Sequence, residues 1–310
     1  MPNWCANRLM FSGVKTDNDT FRKWVKGGGE SLYQRARKEG IQLLLAGCAG
    51  ILRPAVSRIY LPFPAVTAHG AASSPDSTEQ AFTLWLAHLA AGSELDTSTC
   101  EKLHQIWLDC DLRHSRWLSL DDYAQDMVTR LYNKKSFDWS DSLRPLSAEA
   151  WWNSVCDGAG VSATPMDFRE ILPSRLDSEI NGFNGGLLEG ISSSYDLYTR
   201  RYGCKWPVGH TVNICHEGEN TLTVDFDTPW SPVGENVVST LSERFGAEVE
   251  HWYAEQGCNY CGYARYRDGE LESTLTGELE WGEEDPDDED SFPDVIGPEW
   301  LLNNVANFGG

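Results

Sequence analysis

The feature that most constrains the fold is a change in hydrophobic periodicity near residue 205. Before this point, apolar residues recur every three or four positions, as on one face of an α-helix. After it, apolar and polar residues alternate, as in strands with one buried face. The earlier pattern predicts helices at 78–91, 99–112, 120–133 and 148–156. Aromatic residues follow these apolar stripes, so we expect them in a core and not around a cofactor.

The alternating half predicts a small sheet with one helix, completed by an N-terminal strand and helix. The predicted elements are strands at 7–11, 211–215, 221–226, 248–254 and 260–267 and helices at 17–25 and 232–245. Their order, with the helical block inserted after the first helix, is that of a ferredoxin-like split βαββαβ sheet. The expected fold class is therefore α+β, with a large helical insertion and an acidic C-terminal tail.

Composition and pattern divide the chain into four segments. They are an N-terminal strand and helix of the sheet (1–66), the helical insertion (67–160), the ferredoxin-like domain (161–277) and the acidic tail with a terminal apolar segment (278–310). Within the first segment we expect a basic, exposed helix at 30–38 and a buried loop or short strands at 41–66.

The N-terminus and the cysteines indicate the compartment. The opening MPNWCANRLMFSG lacks the basic and apolar regions of a secretory signal. The longest apolar stretch, at 41–52, is about twelve residues, whereas a membrane-spanning helix needs about 20. Nine cysteines in a chain without a secretion signal indicate reduced thiols. We therefore expect a cytoplasmic protein that does not contact membranes.

Charge is distributed unevenly along the chain, whose formal net charge is -22. Residues 1–150 contain 17 acids and 17 bases, whereas residues 151–310 contain 30 acids and 8 bases. Nucleic acids are bound by Lys and Arg that neutralise phosphates, and anionic membranes attract the same residues. The acidic half therefore argues against both as direct partners, and it is the place to look for a binding surface.

Five short motifs resemble those of a known family. The opening residues resemble its PNWCxNxL motif, and MDFREILP at 166–173 resembles its FDFxxIxPxP. Three further motifs are YGCKW at 202–206, which resembles GTKW, FDTPWSP at 226–232, which resembles FxTAWSPP, and the aromatic segment 255–263, which resembles ExGxxFxG.

The family that these motifs resemble is the YubB-type ferredoxin-like proteins of phages and conjugative plasmids. The resemblance covers about residues 1–13 and 166–267, and it has no counterpart for the helical block at 67–156. It departs at Pro229, where the family usually has Ala. The resemblance implies a ferredoxin-like fold and a mobile-element setting, with a bacterial cell as host, and it implies no catalytic residues.

An acidic run at 278–290 is the sharpest feature of the acidic half. It holds nine carboxylates in thirteen residues, which would span about 43 Å if extended. The plain interpretation is a solvated linker. The functional interpretation is a decoy that, with acids of the sheet, occupies a groove that normally holds nucleic acid. The apolar segment at 292–308 would dock either on the core or on a partner.

The candidate partner-binding residues combine acids with tryptophans, because Trp and Tyr are enriched among residues that dominate binding at interfaces. The candidates are Asp225, Asp227, Trp230, Glu248, Glu250, Trp252, Glu283, Glu284, Asp285, Asp287, Asp288, Glu289 and Asp290.

A single Cys-x-x-Cys pair, Cys258 and Cys261, is a weak zinc candidate. Zinc needs four ligands, and a regular strand would point these two thiols to opposite faces. A shared site would therefore need a turn at Asn259, and ordinary thiols are the simpler interpretation. We expect no cofactor and no metal.

The sequence contains no decisive catalytic signature, so we expect a binding protein and not an enzyme. The leading hypothesis is a phage or plasmid protein that inhibits a host defence or DNA-processing complex (CRISPR–Cas, restriction or similar). The alternative is a metal- or nucleotide-dependent enzyme with a site on the sheet near Lys205, Trp206, Asp225 and Asp227. A third hypothesis is an assembly protein that forms homo-oligomers through the helical block.

Overall fold

The computed structural model of the chain describes residues 3–13, 19–140, 144–159, 161–283 and 293–310. It divides into two compact units, which interleave along the sequence. The sheet unit comprises Met1–Gly28, Thr164–Leu172 and Tyr198–Gly310, and the helical unit comprises Gly29–Ala163 and Pro173–Leu197.

The sheet unit contains a six-stranded antiparallel sheet. Its strands are β1 (Trp4–Ser12), β2 (His210–Glu217), β3 (Thr221–Pro229), β4 (Glu248–Glu255), β5 (Tyr260–Arg267) and β6 (Glu270–Gly277). Their spatial order is β2-β3-β1-β4-β5-β6. The first four strands of this order form the split βαββαβ sheet, and β5 and β6 extend it. The predicted fold class is thus confirmed. A separate two-stranded sheet pairs β7 (Glu280–Trp281) with β8 (Val295–Gly297).

The described helices follow the amphipathic segments closely. They are α1 (Asp19–Lys26), α2 (Leu32–Cys48), α3 (Ser77–Ala91), α4 (Thr97–Asp109), α5 (Asp122–Trp139), α6 (Ala148–Cys156), α7 (Leu176–Asn181), α8 (Ser194–Tyr202), α9 (Glu235–Phe245) and α10 (Glu299–Leu302). Within the described residues, no helix is both long and apolar enough to cross a membrane.

Helices α1 and α9 cover one face of the sheet. The ring centroid of Phe21 on α1 lies 5.1 Å from that of Phe11 on β1 and 4.8 Å from that of Phe245 on α9. Side chains alternate between the faces of a strand. The residues of β1 that alternate with Phe11, such as Trp4 and Arg8, therefore lie on the opposite face, which we call the open face.

The helical unit is built around aromatic residues, as the stripes predicted. Trp85, Trp139, Trp152 and Tyr132 are almost completely buried in one apolar core. Local signals set the helix ends. Asp76 and Glu79 form a capping box at the start of α3, which satisfies backbone N–H groups that have no partner within the helix.

Two expectations for residues 29–66 differ from the structure. The helix predicted at 30–38 continues to Cys48 as α2, and most of it is buried in the helical unit instead of being exposed. Residues 29–66 therefore belong to the helical unit and not to the sheet. The glycines of α2 do not end it because they permit close packing: a methyl group at Gly47 would come within 2.8 Å of the Val66 carbonyl oxygen.

The two units differ in charge, although less sharply than the two halves of the sequence. The sheet unit has 27 acids and 12 bases, and the helical unit has 20 acids and 13 bases. Their net charges are thus -15 and -7. Both are acidic, and the larger excess belongs to the unit that carries the ferredoxin-like sheet.

Candidate functional site

A C-terminal segment (residues 293–310) covers half of the open face. The ring of Trp300 lies 6.2 Å from that of Trp252 on β4, which in turn lies 4.0 Å from that of Tyr263 on β5. Leu301 is fully buried in this cluster. The chain end is fixed by backbone hydrogen bonds in both directions between Trp4 and Gly310, at 2.9 and 3.3 Å. The apolar segment was predicted to dock either on the core or on a partner, and in the structure it docks on the core.

This packing corrects the prediction for Trp252. The side chain was expected to be a surface anchor for a partner, but only 9% of the residue is exposed. The reason is the C-terminal segment itself, which occupies the position that a partner would take. Strands β7 and β8, which lie within the predicted tail, pair with each other.

The uncovered half of the open face carries a second group of aromatic residues, which we call the indole cluster. It comprises Trp4, Lys205, Trp206, His210 and Trp230. Trp4 lies 6.2 Å from Trp206 and 4.8 Å from His210, measured between ring centroids. Nζ of Lys205 lies 4.3 Å from the ring centroid of Trp206 and 3.5 Å from that of Trp230. Partial burial lowers the pKa of Lys205.

The backbone around the indole cluster is held in an uncommon conformation. Trp230 and Thr211 have φ of +70° and +51°, a region that residues with a Cβ rarely occupy. The N–H of Trp230 donates to the carbonyl of Asn3 at 2.9 Å, and the hydroxyl of Tyr260 donates to the carbonyl of Trp230 at 2.8 Å. Such strain persists where surrounding contacts fix it, and it concentrates at functional sites.

The indole cluster is where four of the five resemblance motifs meet. Trp4, Lys205, Trp230 and Tyr260 come from four different motifs that are separated by up to about 250 residues in the sequence. Sequence analysis proposed Lys205, Trp206 and Trp230, but it missed Trp4. The signal for Trp4 was present, since this residue is the tryptophan of the N-terminal motif.

The two candidate aspartates of β3 lie on the open face but in different surroundings. Asp225 forms a two-fold ion pair with Arg8 on β1, at 2.6 and 2.9 Å, and is buried. It also accepts a hydrogen bond from the Cys215 thiol at 2.6 Å. Asp227 lacks such a cation, and partial burial raises its pKa. The negative charge of Asp225 is therefore neutralised within the sheet unit.

The candidate glutamates of β4 are also paired within the sheet. Glu250 contacts the guanidinium of Arg265, and Glu248 contacts that of Arg267. Their charges are partly compensated, so these residues contribute less to an acidic surface than the sequence suggested. Glu283 is exposed. The remaining candidates in the acidic run, Glu284, Asp285, Asp287, Asp288, Glu289 and Asp290, lie outside the described residues.

A further group of exposed acids lies on β6 and in the segment after it, and we call this group the acidic edge. It consists of Glu270, Glu272, Glu278, Glu280 and Glu283. One of its members, Glu272, forms an ion pair with Arg267 at 3.4 Å. From residue 268 to 310 the sequence contains fourteen acids and no Lys, Arg or His. Sequence analysis did not single out Glu270 and Glu272, although the uninterrupted absence of bases after 267 was a signal.

The Cys-x-x-Cys pair is separated by the turn that a shared site would require. Asn259 has a φ of +56°, Cys258 is exposed and Cys261 is buried. The carboxylate of Glu255 accepts hydrogen bonds from the N–H groups of Gly257 and Cys258, both at 2.7 Å. Among the residues that the structure describes, no three His, Cys, Asp or Glu side chains are grouped to hold a metal ion.

The strand order and the inserted helical unit define a ferredoxin-like protein with a helical insertion and an extended sheet. Residues 209–296 match the family model described as "Ferredoxin-like domain in Api92-like protein", and residues 30–206 match the model described as "Protein of unknown function (DUF1281)". The chain belongs to the DUF1281 family. Because the second match spans 67–156, the helical block does have a counterpart in the family, contrary to the expectation from the motifs.

Individual relatives agree with this assignment. The chain is 52% identical over 146 residues to the "Uncharacterized protein YubB" of Escherichia coli (strain K12), which covers 47% of this chain and 99% of YubB. It is 40% identical over 158 residues to YubA of the same strain, which covers 51% of this chain and 93% of YubA. The crystal structure of protein api92 from Yersinia pseudotuberculosis aligns with a TM-score of 0.81 and 33% identity, over 91% of this chain and 100% of api92.

Proposed function

We propose that this protein serves a phage or plasmid in the host cytoplasm by binding and inhibiting a nucleic-acid-handling defence complex. Its acidic edge would occupy a basic groove that otherwise holds nucleic acid. The observation that carries the proposal is the acidic edge, with five exposed carboxylates and no base after residue 267. A basic groove attracts an acidic surface because their charges are opposite, and this attraction accelerates association.

The spacing of the acids on β6 supports a mimic of a phosphate chain. Glu270 and Glu272 are two positions apart on one strand, or about 6.6 Å at the rise of an extended chain. A single nucleic-acid strand carries one charge per about 3.4 Å, so this step corresponds to two phosphates. Binding of this kind requires no catalytic group.

Affinity purification from the host cell, followed by an inhibition assay on the complex that co-elutes, tests the proposal. One variant replaces the five carboxylates of the acidic edge by their amides, and a second does so for the seven acids at 283–290. Both should lose co-purification and inhibition. A matched control replaces five exposed acids of the helical unit, Glu101, Asp109, Asp122, Glu149 and Glu189, and should retain both.

Salt provides a second arm of this experiment. In about 1 M salt the screening length is about 3 Å, so a contact that depends on charge should be released. The proposal fails if the complex withstands that salt concentration and if inhibition is unchanged when both acidic segments are neutralised.

The second candidate function is nucleotide binding at the indole cluster, as part of a metal- or nucleotide-dependent enzyme on the sheet. The observation in its favour is that Nζ of Lys205 lies over the ring of Trp230, a residue that is 50% exposed. An exposed indole can stack a base, and an adjacent ammonium group can contact a phosphate. A thermal-shift screen with nucleotides and divalent metals tests this, and Trp230→Ala should abolish any shift.

A further inference from the structure

The outer border of β6 is a free sheet edge. In the described residues, β6 pairs with β5 and with no strand on its other side. Seven of its eight residues are exposed, and only Gly277 is half-buried. On an edge strand, alternate residues direct their N–H and C=O groups away from the sheet. From Ser273 to Gly277, where the register with β5 is regular, the edge therefore presents unpaired backbone donors and acceptors in a row.

The opposite edge of the sheet is irregular at two places, whereas β6 is regular from Ser273 to Gly277. Strand β2 pairs with β3 through two register shifts, and Thr211 within it has a φ of +51°. Irregularities of this kind prevent another strand from pairing with an edge. Strand β6 contains no Pro and no Lys. Its one register shift lies at Glu272, and from Ser273 to Gly277 it pairs with β5 in regular register.

The charges on and beside β6 oppose its pairing with a second copy of this chain in two antiparallel registers. If two β6 strands paired antiparallel about Thr274, Glu270 of each would lie opposite Glu278 of the other. A pairing about Leu275 would place Glu270 opposite Glu280 and Glu272 opposite Glu278. Like charges directly opposite each other destabilise a strand pair. In these two registers a second copy is repelled, whereas a strand that carries the opposite charge is attracted.

Two half-exposed leucines add apolar contact area along the same edge. Leu275 lies opposite Tyr263 and is 50% exposed, and Leu271 lies opposite Tyr266 and is 48% exposed. A strand placed beside β6 would cover both side chains. The occupant that fits therefore combines lysine or arginine with valine, threonine or another residue suited to a strand.

We infer that β6 binds an extended, lysine- or arginine-rich segment of a partner protein by β-strand addition. Backbone hydrogen bonds to the free edge would supply affinity, and pairing of the partner's basic side chains with Glu270, Glu272 and Glu278 would supply specificity. The inference rests on the proposed function, because it identifies the part of the partner that the acidic edge contacts. It adds a geometric requirement that a diffuse charge attraction does not have.

The test uses the full chain and a synthetic probe, an eight-residue peptide in which lysine alternates with valine or threonine. The control is the same peptide with alternate backbone nitrogens methylated, which keeps charge and composition but removes the hydrogen-bond donors of one edge. Titration calorimetry should show that the methylated peptide binds with an affinity at least about tenfold lower than that of the unmodified peptide. Amide hydrogen exchange should show new protection in 270–277 with the unmodified peptide only. The double substitution Glu270→Gln and Glu272→Gln should also weaken binding about tenfold.

Equal binding of the two peptides would overturn strand addition, and so would protection that appears elsewhere in the chain. Neither result affects the proposed function, which depends on inhibition of the host complex by the acidic edge. If the proposed function fails while the unmodified peptide alone binds β6, the edge still accepts a basic strand, and its natural partner is a different protein.

Discussion

The two halves of the open face contain similar residues in opposite roles. On β4 and β5, Trp252 and Tyr263 are covered by the C-terminal segment and form part of a core. Around β1 and the start of β2, the indoles of Trp4, Trp206 and Trp230 have no such cover in the described residues and contact Lys205 and His210 instead. The comparison shows that burial of an aromatic residue on a sheet depends on a distant segment as much as on the strand itself.

The largest effect should come from truncating a tryptophan in the covered half. Trp252→Ala removes a large buried side chain, and such changes cost about 3–5 kcal/mol in the free energy of unfolding. Trp230→Ala is the matched control in the uncovered half of the open face, which we also call the bare half. Trp230 is 50% exposed, so this substitution should cost less than about 1.5 kcal/mol. Chemical denaturation of both variants checks this. Equal losses would mean that the two halves are packed alike.

If Trp252→Ala does not yield folded protein, Trp252→Phe still answers the question. The smaller ring keeps part of the contact with Tyr263 and Trp300, so its loss should lie between those of the two alanine variants. A stability equal to that of the unmodified protein would argue against the packing seen beneath the C-terminal segment.

Two histidines extend the comparison to pH. Complete burial lowers the pKa of His251 on β4 from 6.5 to about 3. Its Nε2 lies 3.0 Å from Oδ1 of Asn7, so the neutral ring donates its proton there. His210 in the indole cluster also has a pKa below 6.5, lowered by partial burial. In both cases the folded state favours the neutral ring.

The sign of the pH dependence follows from these directions. Above pH 6.5 both rings are neutral whether the chain is folded or not, so the contribution to stability is complete. As the pH falls from 6.5 towards 3, the unfolded chain binds a proton that His251 in the folded chain does not, and stability is lost at up to about 1.4 kcal/mol per pH unit. His251→Gln keeps a donor to Asn7 and should flatten the curve, measured by denaturation at a series of pH values. His210→Gln should change the curve in the same direction, because partial burial also lowers the pKa of His210.

The sequence predicted the sheet well and the candidate site only in part, for a physical reason. Strands at 248–254 and 260–267 were located to within a residue, because alternation is a local signal that each strand carries by itself. Trp252 could not be distinguished from Trp230, because the difference depends on the docking of Trp300 and Leu301. Neither could the ion pair of Asp225 with Arg8 be foreseen, since it depends on the register of two strands that lie more than 200 residues apart.

The smallest effect concerns the cation at the centre of the bare half. Lys205→Met removes the charge that lies over two indole rings but keeps much of the apolar stem. Such contacts contribute about 0.5–2 kcal/mol, with the larger values for desolvated cations, and Lys205 is partly desolvated. We expect a loss of about 1 kcal/mol in the free energy of unfolding and a change in tryptophan fluorescence. Lys205→Arg should restore most of both, because a guanidinium also stacks on indole. Lys23→Met, at an exposed position of α1, is the matched control and should change neither.

If Lys205→Met leaves the fluorescence unchanged, the ammonium does not hold the two rings. The bare half would then be a set of separate aromatic side chains, and the contrast with the covered half would reduce to the presence of the C-terminal segment.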